Sequence, residues 1–265
     1  MSDITPRKID FEFPDDTPLY ALPSMPRISL FIAAFSLTMP YLEPYLIRMY
    51  LKVQRENLVD DEALLEDIKA FSQQEGNHYR NHARINEIIR SKFDDQTAAE
   101  LLAIEQELKQ DYEDFLENRS MKFNLAYAEG FEAMTCAVAI NSANRVDDSE
   151  APKQGWAGLL DWHALEEVEH RTVAFNVYNH VYGDYAYRVI GGIKAQAHYL
   201  YAIHKFYRVM LKARGMRMLP YIPWFILGGH VRYLNTLMPW YNPANYEIKG
   251  NLKARLDKFS EMAAG

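Results

Sequence analysis

Apolar residues recur at three- and four-residue intervals along most of the chain, and no run of strict apolar–polar alternation is sustained. The pattern predicts helices and no sheet. Ser29 to Arg55 is rich in Leu, Ile, Phe, Ala, Tyr and Met, and Pro40 and Pro44 are expected to kink this helix or divide it in two. From about Asp61 to Lys92, Leu64, Ile68 and Phe71 share a stripe behind a capping Asp60 or Asp61. Asp94-Asp95 then opens a long helical pattern reaching Asn144 and dividing near Asn118-Arg119-Ser120. Its first half is charged, whereas Phe123 to Ala143 is small and apolar, as suits the inside of a bundle. Further helices are predicted from Trp156 to Tyr182, closing at Gly183-Asp184, and from Tyr185 to Ala213, stopping at Gly215. A short charged helix ends the chain.

The intervening segments complete an all-α architecture. Residues 1–27 carry five of the twelve prolines and no clean periodicity, which predicts an extended arm on the surface or around a partner subunit. Residues 145–155 read as a solvated loop. The tail segments LPYIPWFILGG and LMPWYNPANY would line a pocket, form a lid, or pack in the core and in a homodimer. No composition break marks a linker, so residues 28–265 form one domain: a four-helix bundle core with extra C-terminal helices.

Charge and composition narrow the function. With 29 basic against 36 acidic residues, a net charge of -7, a nucleic-acid surface is excluded. The single cysteine, Cys136, permits no intrachain disulfide and fits a reducing compartment, and Met1-Ser2-Asp3 does not open a secretory signal, so a cytoplasmic protein is expected. The uncharged run Ile28–Leu42 is shorter than the roughly 20 residues that span a bilayer, and Leu219–Gly229 is shorter still. No transmembrane segment is expected.

The chemistry concentrates in Asp161-Trp162-His163-Ala164-Leu165-Glu166-Glu167-Val168-Glu169-His170. On a helix of about 3.6 residues per turn, His163, Glu167 and His170 share one stripe. Glu75, His78 and His82 repeat the idea on an earlier helix. Glu43 closes the uncharged run of the first helix, and Glu132 stands among apolar neighbours on the third, with Glu129 as its competitor one turn earlier. A buried ionised carboxylate is costly unless paired or bound to metal. One glutamate from each of two helices plus Glu-x-x-His from each of two others is the ligand set of dinuclear centres in ferritin-like bundles. Glu166 and Glu169 lie off the stripe, solvated or as outer hydrogen-bond partners. His82 is a ligand or a hydrogen-bonded histidine. Cys136 reads as a small buried apolar side chain, and His180, His198, His204 and His230 read as structural.

The segments QEGNHYRNHARIN, GFEAMTCAV and WHALEEVEHRTVAFNVY resemble the bacterial family labelled predicted metal-dependent hydrolases, from about residue 20 to residue 245. The resemblance favours Glu132 over Glu129, and puts Ala133 where the family motif usually has histidine. The ligand order is also similar to that of di-iron N-oxygenases of aryl amines, which implies Glu43, Glu75, His78, Glu132, His163, Glu167 and His170 as ligands, His163 included. From this follows the expectation of an O2-activating oxidoreductase holding two Fe ions, or Mn, and acting on a small organic substrate. Glu132 and Glu167 would bridge the ions, with Glu43 and Glu75 more terminal. The alternative is a metal-dependent hydrolase using a metal-bound hydroxide, with Glu166 or Glu129 as general base.

Overall fold

The computed structural model describes residues 4–143, 154–218 and 231–264, and among these it is helical with no strand. The helices are α1 (Pro26–Arg55), α2 (Glu62–Ser91), α3 (Asp95–Asn118), α4 (Met121–Ala143), α5 (Gly155–Glu169), α6 (Val173–Val181), α7 (Tyr185–Ala213) and α8 (Gly250–Ala264). A helical turn over 231–236 and a short 3-10 helix, Pro243–Asn245, precede α8. The segment 219–230, with His230 and LPYIPWFILGG, lies outside the described residues, as does most of the predicted loop 145–155.

Helix starts follow the local sequence. Asp61 accepts from the amides of Ala63 and Leu64, Asp94 from Thr97 and Asp184 from Tyr187, each satisfying a first-turn donor that has no partner within the helix. Beyond α6, Gly183 takes a φ of 63°, the left-handed geometry of a helix stop.

Helices α1 and α2 pack side by side, and α4 packs against α5, α6 and α7; α1 also meets α3 and α7, so that α4 is buried almost throughout. Small residues set the spacing of α4 and α7. A Cβ on Gly130 would stand 2.1 Å from the Gly192 Cα, and one on Gly191 would stand 2.4 Å from the Ala126 Cβ. No side chain larger than hydrogen fits at either contact.

Two predicted features come out differently. Helix α1 is not divided at Pro40 or Pro44 and continues through both. Pro40 cannot donate to the Ser36 carbonyl four residues earlier, and the Asn86 side-chain amide donates there instead at 2.9 Å. The helix expected from Trp156 to Tyr182 stops at Glu169 and resumes at Val173. Arg171 donates to the Val168 carbonyl at 3.0 Å and to the Tyr246 carbonyl at 2.8 Å, while Val173 N bonds to the His170 carbonyl at 3.0 Å, so a tighter turn replaces the continuous helix.

The arm is extended but is not a loose surface strand. Ile4, Arg7, Ile9, Phe11 and Leu19 are buried, and Phe11 packs on Trp162 with ring centroids 5.5 Å apart. Helix α1 is the one helix among the described residues long and apolar enough to cross a membrane, but most of that stretch is buried inside the protein and the helix carries Glu43 inward.

Candidate metal centre

Four stretches of helix deliver the predicted ligands to one place. α1 contributes Glu43, α2 Glu75 and His78, α4 Glu132, and α5 with its C-terminal cap His163, Glu167 and His170. All seven are buried, none more than 4% exposed. Six of them form two groups, Glu43–His78–His163 and Glu75–Glu167–His170, in each of which one donor atom per residue lies within 4.8 Å of the others. Glu132 Oε2 approaches His170 Nε2 at 3.3 Å and so joins the second group.

Two carboxylates stand between the groups. Glu75 Oε1 lies 3.5 Å from His78 Nδ1 and 3.6 Å from His170 Nε2. Glu167 places Oε1 3.0 Å from His163 Nε2 and Oε2 3.4 Å from His170 Nε2. Glu132 stands at the His170 end, and at the other end Glu43 Oε1 lies 3.8 Å from His163 Nε2.

Hydrogen-bond polarity sets which imidazole nitrogens face the carboxylates. His78 Nε2 faces the Glu166 carboxylate at 3.0 Å, so that nitrogen donates. Gln74 uses its amide nitrogen on Glu169, at 2.6 Å, and on the Thr5 carbonyl, so its oxygen accepts from His170 Nδ1 at 3.0 Å. The Ser36 hydroxyl donates to Asn86 Oδ1 at 2.6 Å, so His82 Nδ1 donates to Ser36 at 2.8 Å, and His82 Nε2 accepts from His163 Nδ1 at 2.8 Å.

With neutral imidazoles, His78 Nδ1, His163 Nε2 and His170 Nε2 then all point lone pairs at carboxylates. Acceptors facing acceptors in a dry interior need a metal ion or protons between them. Accordingly His78 Nδ1, His170 Nε2, both oxygens of Glu43 and one oxygen each of Glu75, Glu132 and Glu167 have no hydrogen-bond partner. Outer residues that orient each imidazole, inner nitrogens left open and four carboxylates fit a pair of metal ions.

Without metal, protons substitute. Burial and the charges of Glu75, Glu167 and Glu132 push Glu43 well above the usual carboxylate range. Burial and Glu167 raise Glu132 to about 8, partly opposed by His170. Against the effect of burial, Glu166 and Glu75 raise His78 to about 9. Also against burial, His170 and His163 hold Glu167 well below its ordinary value.

The remaining candidates separate cleanly. His82 is fully buried and hydrogen-bonds His163 from outside the two groups. Glu129 pairs with Arg188 at 2.8 Å, away from the centre. Glu166 and Glu169 are not solvated: Arg7 donates to both, and they in turn hold His78 and Gln74. Cys136 is buried, and burial raises its thiol to about 12. His180 meets Asp60 and His198 meets Asp111, both outside the centre. Arg7, Gln74, Ser36 and Asn86 carried no sequence signal of a role here, since each meets its partner from another helix or from the arm.

A cavity of about 220 Å³ is lined in part by His163 and Glu167. Phe31, Ile32, Phe35, Met134, Val138 and Ile203 supply much of its apolar wall, and Thr135, Ser142 and Tyr199 its other polar groups. A larger cavity, about 450 Å³, lies on another face of α4 against Cys136 and Arg171, and none of the seven clustered residues lines it.

No curated protein and no solved structure matches the chain. The family described as "Predicted metal-dependent hydrolase" matches residues 5–245, which takes in the arm as well as every helix that reaches the centre. With the buried histidine and carboxylate groups just described, the chain belongs to this predicted metal-dependent hydrolase family.

Proposed function

We propose that the chain is a dinuclear metal enzyme that binds two iron ions and uses O2 to oxidise a small apolar molecule. The observation that carries this reading is the cavity itself, a largely hydrocarbon pocket with His163 and Glu167 in its lining. Glu43, His78 and His163 would hold one ion and Glu132 and His170 the other, with Glu75 and Glu167 shared. The four carboxylates balance the roughly four positive charges of two divalent ions. Bound iron would supply the one-electron chemistry and O2 binding that no side chain provides.

The protein's own contribution is positional. His82 and Ser36 keep the His163 lone pair turned inward, and Phe35, 5.8 Å from the His163 ring centroid, packs against that imidazole at the cavity wall. The apolar wall excludes water and would orient a substrate by shape. Support also comes from the ligand order, which is similar to that of di-iron N-oxygenases. Manganese suits the same donors.

The family description favours a second reading, metal-assisted hydrolysis. Neither general base expected for it stands free: Glu129 is paired with Arg188, and Glu166 is engaged by Arg7 and His78. The test is anaerobic loading with two equivalents of Fe(II), followed by mixing with O2. Rapid O2 consumption with a transient visible absorption supports oxidation. Inert iron, together with hydrolysis of ester or phosphate substrates by the zinc- or manganese-loaded protein, would sink that proposal and leave hydrolysis.

A further inference from the structure

We propose that the N-terminal arm is a working part of the metal centre, with Arg7 as the positioning residue that holds one imidazole of each group in its ligating orientation; this rests on the dinuclear reading above. Arg7 is 4% exposed, and its guanidinium forks onto two carboxylates. Nη1 donates to Glu166 Oε1 at 3.1 Å, and the other oxygen of that carboxylate accepts from His78 Nε2 at 3.0 Å. Nη1 and Nη2 also grip Glu169 at 2.8 and 3.0 Å. Glu169 accepts from the Gln74 amide at 2.6 Å, and the Gln74 oxygen accepts from His170 Nδ1 at 3.0 Å. A single cation thus stands behind His78 of the first group and His170 of the second.

The arm is fastened so that this cation cannot drift. Asn77 donates to the Arg7 carbonyl at 3.1 Å, Asn81 donates to the Ile9 carbonyl at 2.7 Å, and Asn81 accepts from the Phe11 amide at 3.1 Å. On its far side Arg7 Nε donates to Ser260 Oγ at 2.8 Å and to the Leu256 carbonyl at 3.2 Å, tying the arm to α8. The arm and α8 therefore meet behind the two groups.

The chemistry of the network explains why a cation is needed there. The Glu166 side chain is fully buried and that of Glu169 nearly so, and buried carboxylates are costly unless paired and hydrogen-bonded. Deprived of Arg7, each carboxylate would turn away or lose its fixed angle. Either change removes the acceptor that fixes the tautomer and ring angle of His78, and the partner that fixes Gln74 against His170. His163 is held by a separate chain through His82, Ser36 and Asn86, so the arm governs two of the three imidazoles.

The experiment measures release of Fe(II) from the anaerobically loaded full-length protein to an excess of a chromogenic chelator. It compares wild type with Arg7→Gln, Arg7→Lys and Arg255→Gln. Arg255 is also 4% exposed and also fastens α8, through the Ala143 carbonyl and Asp161, so it reports plain structural loosening. Arg7→Gln is expected to release iron about 10- to 100-fold faster, the range seen when an outer partner of a metal ligand is lost, with Arg7→Lys in between. Arg255→Gln is expected to lower the melting temperature and keep wild-type release.

Release from Arg7→Gln within twofold of wild type overturns the proposal, and so does equal acceleration in Arg255→Gln. Should Arg7→Gln fail to fold, Gln74→Leu cuts only the His170 branch and carries the same expectation, with wild-type release again overturning it. A wild-type protein that takes up no metal overturns this inference and the dinuclear reading together. Normal uptake with unaffected variants overturns the role of the arm alone.

Discussion

Stripping the metal should destabilise this protein far more than loss of a surface ligand would. Seven polar atoms of the centre have no hydrogen-bond partner: two on Glu43 and one each on Glu75, His78, Glu132, Glu167 and His170. A buried polar atom without a partner costs about 1–3 kcal/mol. Relieving only three of them by coordination amounts to roughly 3–9 kcal/mol, a large share of the 5–15 kcal/mol that holds a typical domain folded. The linkage relation agrees in size: free metal at about 100 times its dissociation constant adds about 2.7 kcal/mol per site, hence about 5 kcal/mol for two. At about 2–4 °C per kcal/mol for a chain of this size, the melting temperature should rise by roughly 10–20 °C between chelated and metal-loaded protein. Calorimetry or circular dichroism across a series of metal concentrations measures it. Melting temperatures that agree within 2 °C with and without chelator, at every metal concentration, would refute the reasoning, because the facing acceptors would then have to be satisfied by protons alone.

Glu167→Ala and His170→Ala should each abolish most metal uptake and most of that thermal shift while leaving the far-ultraviolet helical signal largely intact, as mass-spectrometric metal analysis and circular dichroism would show. In the stripped protein, stability should fall as pH rises from about 5 to 9. Glu132 is raised to about 8 and His78 to about 9, so the stability each contributes is full below its unfolded value and lost as pH passes the folded one. The metal-loaded protein should show a flatter profile over that range, and a flat profile for the chelated protein would contradict the assignment. Gly130→Ala should destabilise by about 1–3 kcal/mol, read from urea unfolding, because its Cβ would meet the Gly192 backbone at 2.1 Å and neither helix can yield without disturbing the cavity wall.

Whatever repeats within one helix was legible from the residues alone. The offsets of His163, Glu167 and His170, and of Glu75 and His78, follow from helical periodicity, so each stripe could be recognised without knowing what it faces. The caps at Asp61, Asp94 and Asp184 and the stop at Gly183 are equally local, each set by a side chain or a φ within a few residues. Glu43 and Glu132 stood out because a carboxylate in an apolar run needs a partner, although the run does not say which one.

The tertiary structure decided the partners. Arg7 reaches Glu166 and Glu169 across about 160 positions, and nothing near Arg7 in an arm rich in proline distinguishes it from a surface arginine. Asn86 repairs the carbonyl that Pro40 leaves open, so a helix that local rules would break stays whole. The reverse happens at His170, where Arg171 is drawn to the Tyr246 carbonyl and the helix turns more tightly than its apolar pattern implies. Glu129 and Glu132 differ by less than one helical turn. Yet one meets Arg188 on α7 and the other meets His170, because about 100° per residue separates the faces they present. Spacing along a helix is a property of the backbone, whereas the identity of the facing group depends on how helices distant in sequence pack together.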